Sequence, residues 1–258
     1  MIFKSNVLPA GRKLANTKLT LRRSLLFISL LLPTISLAAF RPIATLTGGI
    51  NSSHFRTAQN VTLLAPFHDT FTGSNTDNEN FIGLFLGYES PLYQGILWQL
   101  GVSYYHTNPL LAEGRILQFA DPAFSNISYQ EKITNNRIML ETKLLATIQK
   151  FMIFHPYVSV GAGRATNTAG SYTETPVAPY VVVHPESFGG HRTTSFTYAI
   201  GIGIDMELSE NVRVGIGYRY AQLGNAQSGL MPNQDSKTVL KFNNQRSNEF
   251  LLTVSFLN

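Results

Sequence analysis

Between positions 212 and 220 the chain alternates Val212, Val214, Ile216, Tyr218 and Tyr220 with Arg213, Gly215, Gly217 and Arg219. Side chains on a strand point to opposite faces in turn, so this segment is greasy on one side and lined by arginine and glycine on the other. A face with two arginines cannot be the core of a soluble sandwich. It suits a strand whose apolar face meets lipid and whose polar face lines a lumen. The C-terminal segment repeats the pattern, with Phe250, Leu252, Val254 and Phe256 set against Glu249, Leu251, Thr253 and Ser255.

Eight segments alternate in this way, at 44–51, 81–88, 96–105, 137–148, 157–163, 196–207, 212–220 and 249–256. On the fourth, Ile138, Leu140 and Leu144 face one way while Arg137, Met139, Glu141 and Lys143 face the other. On the sixth, Phe196, Tyr198, Ile200 and Ile202 oppose Thr197, Ala199, Gly201, Gly203 and Asp205. The interior of an eight-stranded barrel is just wide enough to be filled by side chains, so the inward glycines are expected to leave room for long Arg, Lys and Glu. A lipocalin-like soluble barrel would need the reverse polarity, apolar inside and polar outside. The aromatic residues Tyr88, Tyr104, Tyr105, Tyr157, Tyr218, Tyr220, Phe250 and Phe256 fall near strand ends, where interfacial girdles form.

Connection lengths alternate as well. Three are short, at 89–95, 149–156 and 208–211, and four are long, at 52–80, 106–136, 164–195 and 221–248. That asymmetry predicts an eight-stranded antiparallel up-and-down transmembrane β-barrel with short periplasmic turns and long extracellular loops. Two apolar passages, 61–67 and 177–183, lie in the long segments. Each is read either as an interaction surface or as strand continued above the membrane.

The N-terminus sets the compartment. Lys4, Arg12, Lys13, Lys18, Arg22 and Arg23 precede the apolar run 25–32, then Pro33 and the small residues up to Ala38 and Ala39. This reads as a secretory signal over residues 1–38, because the apolar run is shorter than the roughly 20 residues of a membrane-spanning helix. The barrel then occupies 39–258. Removing the signal leaves 14 basic against 15 acidic residues, a net charge of −1, so the basic character of the whole chain belongs to the address and gives no support to nucleic-acid binding. Cysteine is absent, which excludes disulfides and thiolate chemistry.

The run from Asp205 to Tyr220, DMELSENVRVGIGYRY, together with the alternating C-terminal strand, resembles small outer-membrane barrels of the opacity-protein and OmpA type. The resemblance covers residues 40–258 and rests mainly on periodicity and topology. It implies a bacterial outer-membrane location and surroundings of outer-membrane lipid and lipopolysaccharide. It also implies an assembly signal in Phe250, Leu252, Val254 and Phe256, read by the outer-membrane assembly machinery. In that family the chain usually ends in an aromatic residue, whereas here Leu257 and Asn258 follow Phe256. Family members include envelope-stabilising proteins, adhesins, small pores and a few lipid-modifying enzymes.

Arg137, Glu141, Lys143, Asp205, Arg213, Arg219 and Glu249 share the inward face, and the expectation is a salt-bridge network that closes the lumen rather than a charged pore. The six histidines, His54, His68, His106, His155, His184 and His191, form no strand-borne pair with serine of the kind a lipid deacylase needs. His184, Glu186 and His191 match no established metal-site spacing. No cofactor and no metal are expected, and the glycine pairs 161/163, 201/203 and 215/217 mark inward positions rather than nucleotide loops. The sequence therefore reads as a non-enzymatic structural or adhesin-like protein acting through its loops on a host or surface ligand. A low-conductance pore and a lipid A-modifying enzyme are the alternatives.

Overall fold

The computed structural model describes residues 40–64, 66–148, 153–177, 179, 181, 188–232 and 238–258. The signal segment 1–38 lies outside them. Eight antiparallel strands, β1 (Arg41–Leu64), β2 (Phe67–Tyr93), β3 (Ile96–Leu117), β4 (Ile127–Ala146), β5 (Phe154–Pro176), β6 (His191–Ser209), β7 (Val212–Gln227) and β8 (Lys241–Leu257), follow one another round a closed barrel. Closure is made by β1 on β8, in register from Ile43 opposite Leu257 to His54 opposite Arg246. This leaves no free sheet edge.

An apolar belt encircles the outside. On β6 it runs from Phe196 to Ile204, nine residues that rise about 23 Å at ~3.4 Å per residue and a tilt of ~40°, close to the ~25 Å band of a membrane barrel. Tyrosines border it. Tyr104 and Tyr218 on the outer face donate their hydroxyls to Asn136 and Asn248 at 2.9 and 2.6 Å, at the edge away from the chain termini. That edge faces the loop end of the barrel, and the short turns and both strand termini occupy the other, the turn end.

The strands run far past the belt. Segments 52–80, 106–136, 164–195 and 221–248 do leave it, but most of their length is strand, and the true connections at the loop end are 65–66, 118–126, 177–190 and 228–240. The alternation continues there with its sign reversed. Phe55, Phe71, Ile116, Ile133 and Phe242 point inward and are buried, while Gln130, Lys132 and Arg115 point outward into solvent. The physical reason is the change of surroundings. Inside the belt lipid covers the outer face, and beyond it water does, so the greasy face must turn inward.

Inward glycines leave room for long neighbours, and aromatic rings take more of it than charged side chains do. Most of them receive aromatic rings laid flat on the wall, Tyr157 against Gly203 and Gly217 and Tyr129 against Gly73 and Gly114, while Gly161 and Gly215 receive the carboxylate arms of Glu141 and Asp205. A Cβ on Gly203 would stand 2.5 Å from Tyr157 Cζ, so Gly203→Val is expected to lose about 1–3 kcal/mol of stability, measured by urea unfolding in detergent micelles. Gly48→Val, where nothing lies within 4 Å of the added atom, is the matched control and should stay near the parent.

Candidate functional site

Three tiers fill the barrel, each set by the parity of the inward residues. In the tier within the belt, Glu249 on β8 accepts hydrogen bonds from Arg137 on β4 and, at 2.6 Å, from Arg219 Nε on β7. Arg219 also lies 3.5 Å from Glu141 and stacks its guanidinium 4.0 Å over the Tyr105 ring, whose hydroxyl donates to Glu141 at 2.9 Å. Lys143 donates to Asp205 at 2.6 Å and sits 3.7 Å over the Tyr157 ring. Nearer the turn end Arg213 pairs with Glu89, which also accepts from Gln99 at 2.7 Å. All seven inward charges read from the sequence thus stand in this tier, in three linked clusters.

Three partners escaped the sequence reading. Glu89 and His155 lay in segments assigned to turns, and Glu207 at a strand end. Yet Glu89 continues the parity of Phe85 and Gly87, and Glu207 that of Asp205, which is the signal that places them. His155 bridges Thr147 Oγ1 at 3.2 Å and Glu207 Oε2 at 3.0 Å, fastening the turn end. A buried charge is tolerable only when paired, and here most pairs are shared, so the arrangement fills the lumen with mutually neutralising groups. The space left among Thr47, Gln99, Glu141, Lys143 and Tyr157 is about 60 Å³, room for a water or two rather than for a passage.

Above it stands the apolar tier, with Phe71, Tyr129, Tyr172 and Phe188 in mutual edge-on and stacked contact. Within this tier lies Glu131. Its side chain is fully buried, neither oxygen has a hydrogen-bond partner among the described residues, and burial pushes its carboxyl up to about 8. It faces a bulge on β5, where Ser171 takes a left-handed conformation (φ 54°) between the pairs Gln130 with Thr173 and Lys132 with Gly170. The same burial pushes the Tyr129 hydroxyl up to about 12 and raises Tyr172, whose hydroxyl donates to Glu174 at 2.7 Å.

The third tier is the rim. The 118–126 connection folds back over the β1–β2 hairpin, its Phe119 amide donating to Asp69 at 2.9 Å. Phe119 and Ala120 both hold left-handed backbone, at φ 55° and 57°, an unfavourable conformation for residues bearing a Cβ. The Phe119 ring meets Phe67 edge-on at 5.9 Å, and the two are 61% and 54% exposed. Phe124, Val177, Leu230 and Met231 add further exposed apolar surface on neighbouring connections. Of the two apolar passages read from the sequence, Val61 turns into the apolar tier, whereas Phe67 and Val177 are exposed at the loop end.

Phe250, Leu252, Val254 and Phe256 all lie on the outer face of β8 within the belt. His184 and Glu186 lie outside the described residues, and His191 bonds Gln227 at 3.1 Å. Among the described residues no group of three His, Asp or Glu is placed to hold a metal ion.

The family model described as "Outer membrane protein beta-barrel domain" matches residues 27–256. No curated protein sequence matches. Solved structures similar to this chain include Neisserial surface protein A, 13% identical over 83% of this chain and 96% of that one, with a TM-score of 0.45. The attachment invasion locus protein Ail of Yersinia pestis is 12% identical over 84% and 98%, with a TM-score of 0.35. The N-terminal β-barrel domain of Pseudomonas aeruginosa OprF is 12% identical over 84% and 97%, with a TM-score of 0.34.

Proposed function

Because this chain belongs to the outer membrane protein β-barrel domain family and so resides in the bacterial outer membrane, we propose that it is a non-enzymatic surface protein whose barrel carries a recognition rim beyond the lipid headgroups. The observation that carries this reading is the rim itself. Two left-handed, non-glycine residues hold Phe119 against Phe67 in the open, on a tier that has its own apolar core. Strain of order 1–3 kcal/mol per residue persists only where surroundings enforce it, and exposed aromatic clusters mark contact surfaces. The partner is a host or neighbouring-cell surface ligand. The machinery that inserts the barrel engages Phe250, Leu252, Val254 and Phe256, while lipid and lipopolysaccharide cover the belt.

The test is adhesion by cells displaying Phe67→Ser/Phe119→Ser. Binding to the target surface should fall by about tenfold, the loss of roughly 1.4 kcal/mol, while the folded protein still migrates faster than its boiled form on a gel. Unchanged adhesion would remove the rim from the proposal. Proteolysis of intact cells bears on the frame as well: cuts should be confined to 118–126, 177–190 and 228–240, and cuts spread through 52–64 and 67–80 would contradict a rigid upper tier.

The pore reading runs against the filled lumen. In planar bilayers the purified protein should give no steady single-channel current, and a sustained current would overturn the closed barrel.

A further inference from the structure

Two recesses lie one above the other on the outside of the barrel, the upper at the β1–β8 seam and the lower spread across β6, β7, β8 and β1. The lower, of about 520 Å³, is within the belt and is lined by Ile50, Ile202, Ile204, Ile216, Phe250 and Leu252. The upper, of about 750 Å³, is lined by His54, Gln59, Lys241, Asn243, Asn244 and Arg246. Register ties them together: Ile50 is opposite Phe250, Ser52 opposite Asn248, and His54 opposite Arg246. The facing edges of the two, Ile50 below and His54 above, are thus about four residues of strand apart, roughly 13 Å. Between them lies the tyrosine edge of the belt, where Tyr218 is bonded to Asn248.

The upper recess exists because β8 bulges there. Asn244 takes φ 54°, and the pairing with β1 slips between His54 and Arg56, so the outer surface is no longer a flat ladder. Among the described residues of the strands on this flank, the outward charge is of one sign. β1, β7 and β8 together contain a single carboxylate, Glu249, and it is turned into the lumen, bonded to Arg137 and Arg219. The outer face of the three adjacent strands therefore offers exposed Lys241 and Arg246 with no acid on those strands to neutralise them. An apolar trough capped by a basic recess at headgroup level has the profile of one kind of molecule, an acyl chain below a phosphate.

We propose that the β1–β8 seam binds one phosphorylated lipid of the outer leaflet, with its phosphate in the recess at Lys241 and Arg246 and an acyl chain along Ile216, Phe250 and Leu252. Lipid bound here bridges the bulged part of the seam at the membrane surface. The site is on the flank of the barrel, so its failure and that of the rim reading are distinguishable.

The test is native mass spectrometry of the mature chain in detergent, titrated with diphosphorylated hexa-acyl lipid A, the same lipid without phosphates, and inorganic phosphate. One lipid per barrel is expected to remain attached, with retention about tenfold weaker for the dephosphorylated lipid and for Lys241→Gln/Arg246→Gln, each change removing at least one charge-assisted contact. Ile216→Trp, which fills the trough and leaves both cations in place, should weaken retention similarly. Heat-modifiable gel mobility checks that each variant is folded. Equal retention of both lipids, or full retention by the charge variant, would overturn the proposal. So would full retention by Ile216→Trp, or displacement of the lipid by inorganic phosphate, since either would reduce the site to a simple anion contact.

Discussion

Replacement of Glu249 by leucine is expected to cost about 3–5 kcal/mol of unfolding free energy, the loss typical when one partner of a buried ion pair is removed. Glu249 is shared. It accepts from Arg137 on β4 and Arg219 on β7, and both guanidinium groups are buried. After substitution Arg219 retains Glu141 at 3.5 Å, whereas Arg137 faces no carboxylate among its described contacts. The penalty should therefore come chiefly from the orphaned Arg137, and adding Arg137→Met to Glu249→Leu should recover a large part of it. Urea unfolding followed through Trp98 fluorescence and gel mobility, arranged as a double-mutant cycle, measures this directly. A single-variant loss below about 1 kcal/mol would mean that water solvates the arginines, and the lumen would then be wet and continuous rather than plugged.

The second large effect is a pH dependence centred on Glu131. Its carboxyl is raised from 4.5 to about 8 by burial among apolar side chains, so the folded chain holds a proton that the unfolded chain has already released. Folded binding exceeds unfolded binding between those two values, and stability falls as pH rises from about 4.5 to about 8, then levels off. The upper limit of the loss is about 4–5 kcal/mol, at 1.36 kcal/mol per pH unit. Glu131→Gln should remove the slope, match the parent near pH 4 and exceed it at pH 8.5. Guanidinium unfolding across that range, with hydrogen exchange at the amides of β4 and β5, would register the change. Parallel pH profiles for parent and variant would show that Glu131 finds a partner when ionised. Tyr129 and Tyr172 lie close enough to feel its charge, and the Tyr172 hydroxyl is already committed to Glu174.

Much of this barrel was legible before any coordinates. The segments 44–51, 81–88 and 212–220 lie on β1, β2 and β7, and 137–148 lies on β4 but for its last two residues, with inner and outer faces as their alternation demands, because a strand has only two faces and lipid tolerates only one kind of residue. What misled the reading beyond the belt was not noise. Phe55, Val61 and Ile133 keep period two, but these apolar residues take the opposite parity to Ile50 and Ile138, and Phe242 turns inward through the bulge at Asn244, so one polarity alone marks these stretches as loop. A sign change in a continuing alternation is the signal that would have recovered them.

By itself the sequence determined the strand count, the inward parity of Arg137, Glu141, Lys143, Asp205, Arg213, Arg219 and Glu249, and the uneven ends of the barrel, since each follows from local periodicity and chain connectivity. Only the tertiary structure decided which charges meet. Arg137 and Glu249 are 112 residues apart in the chain and face each other across the lumen because closure of β1 on β8 curls the sheet around them. Closure likewise isolates Glu131 from water and brings β7, β8 and β1 side by side, with an outer face that carries no acid on those strands. Those properties depend on distances through space, set by strand number and register, which no segment of the chain encodes alone.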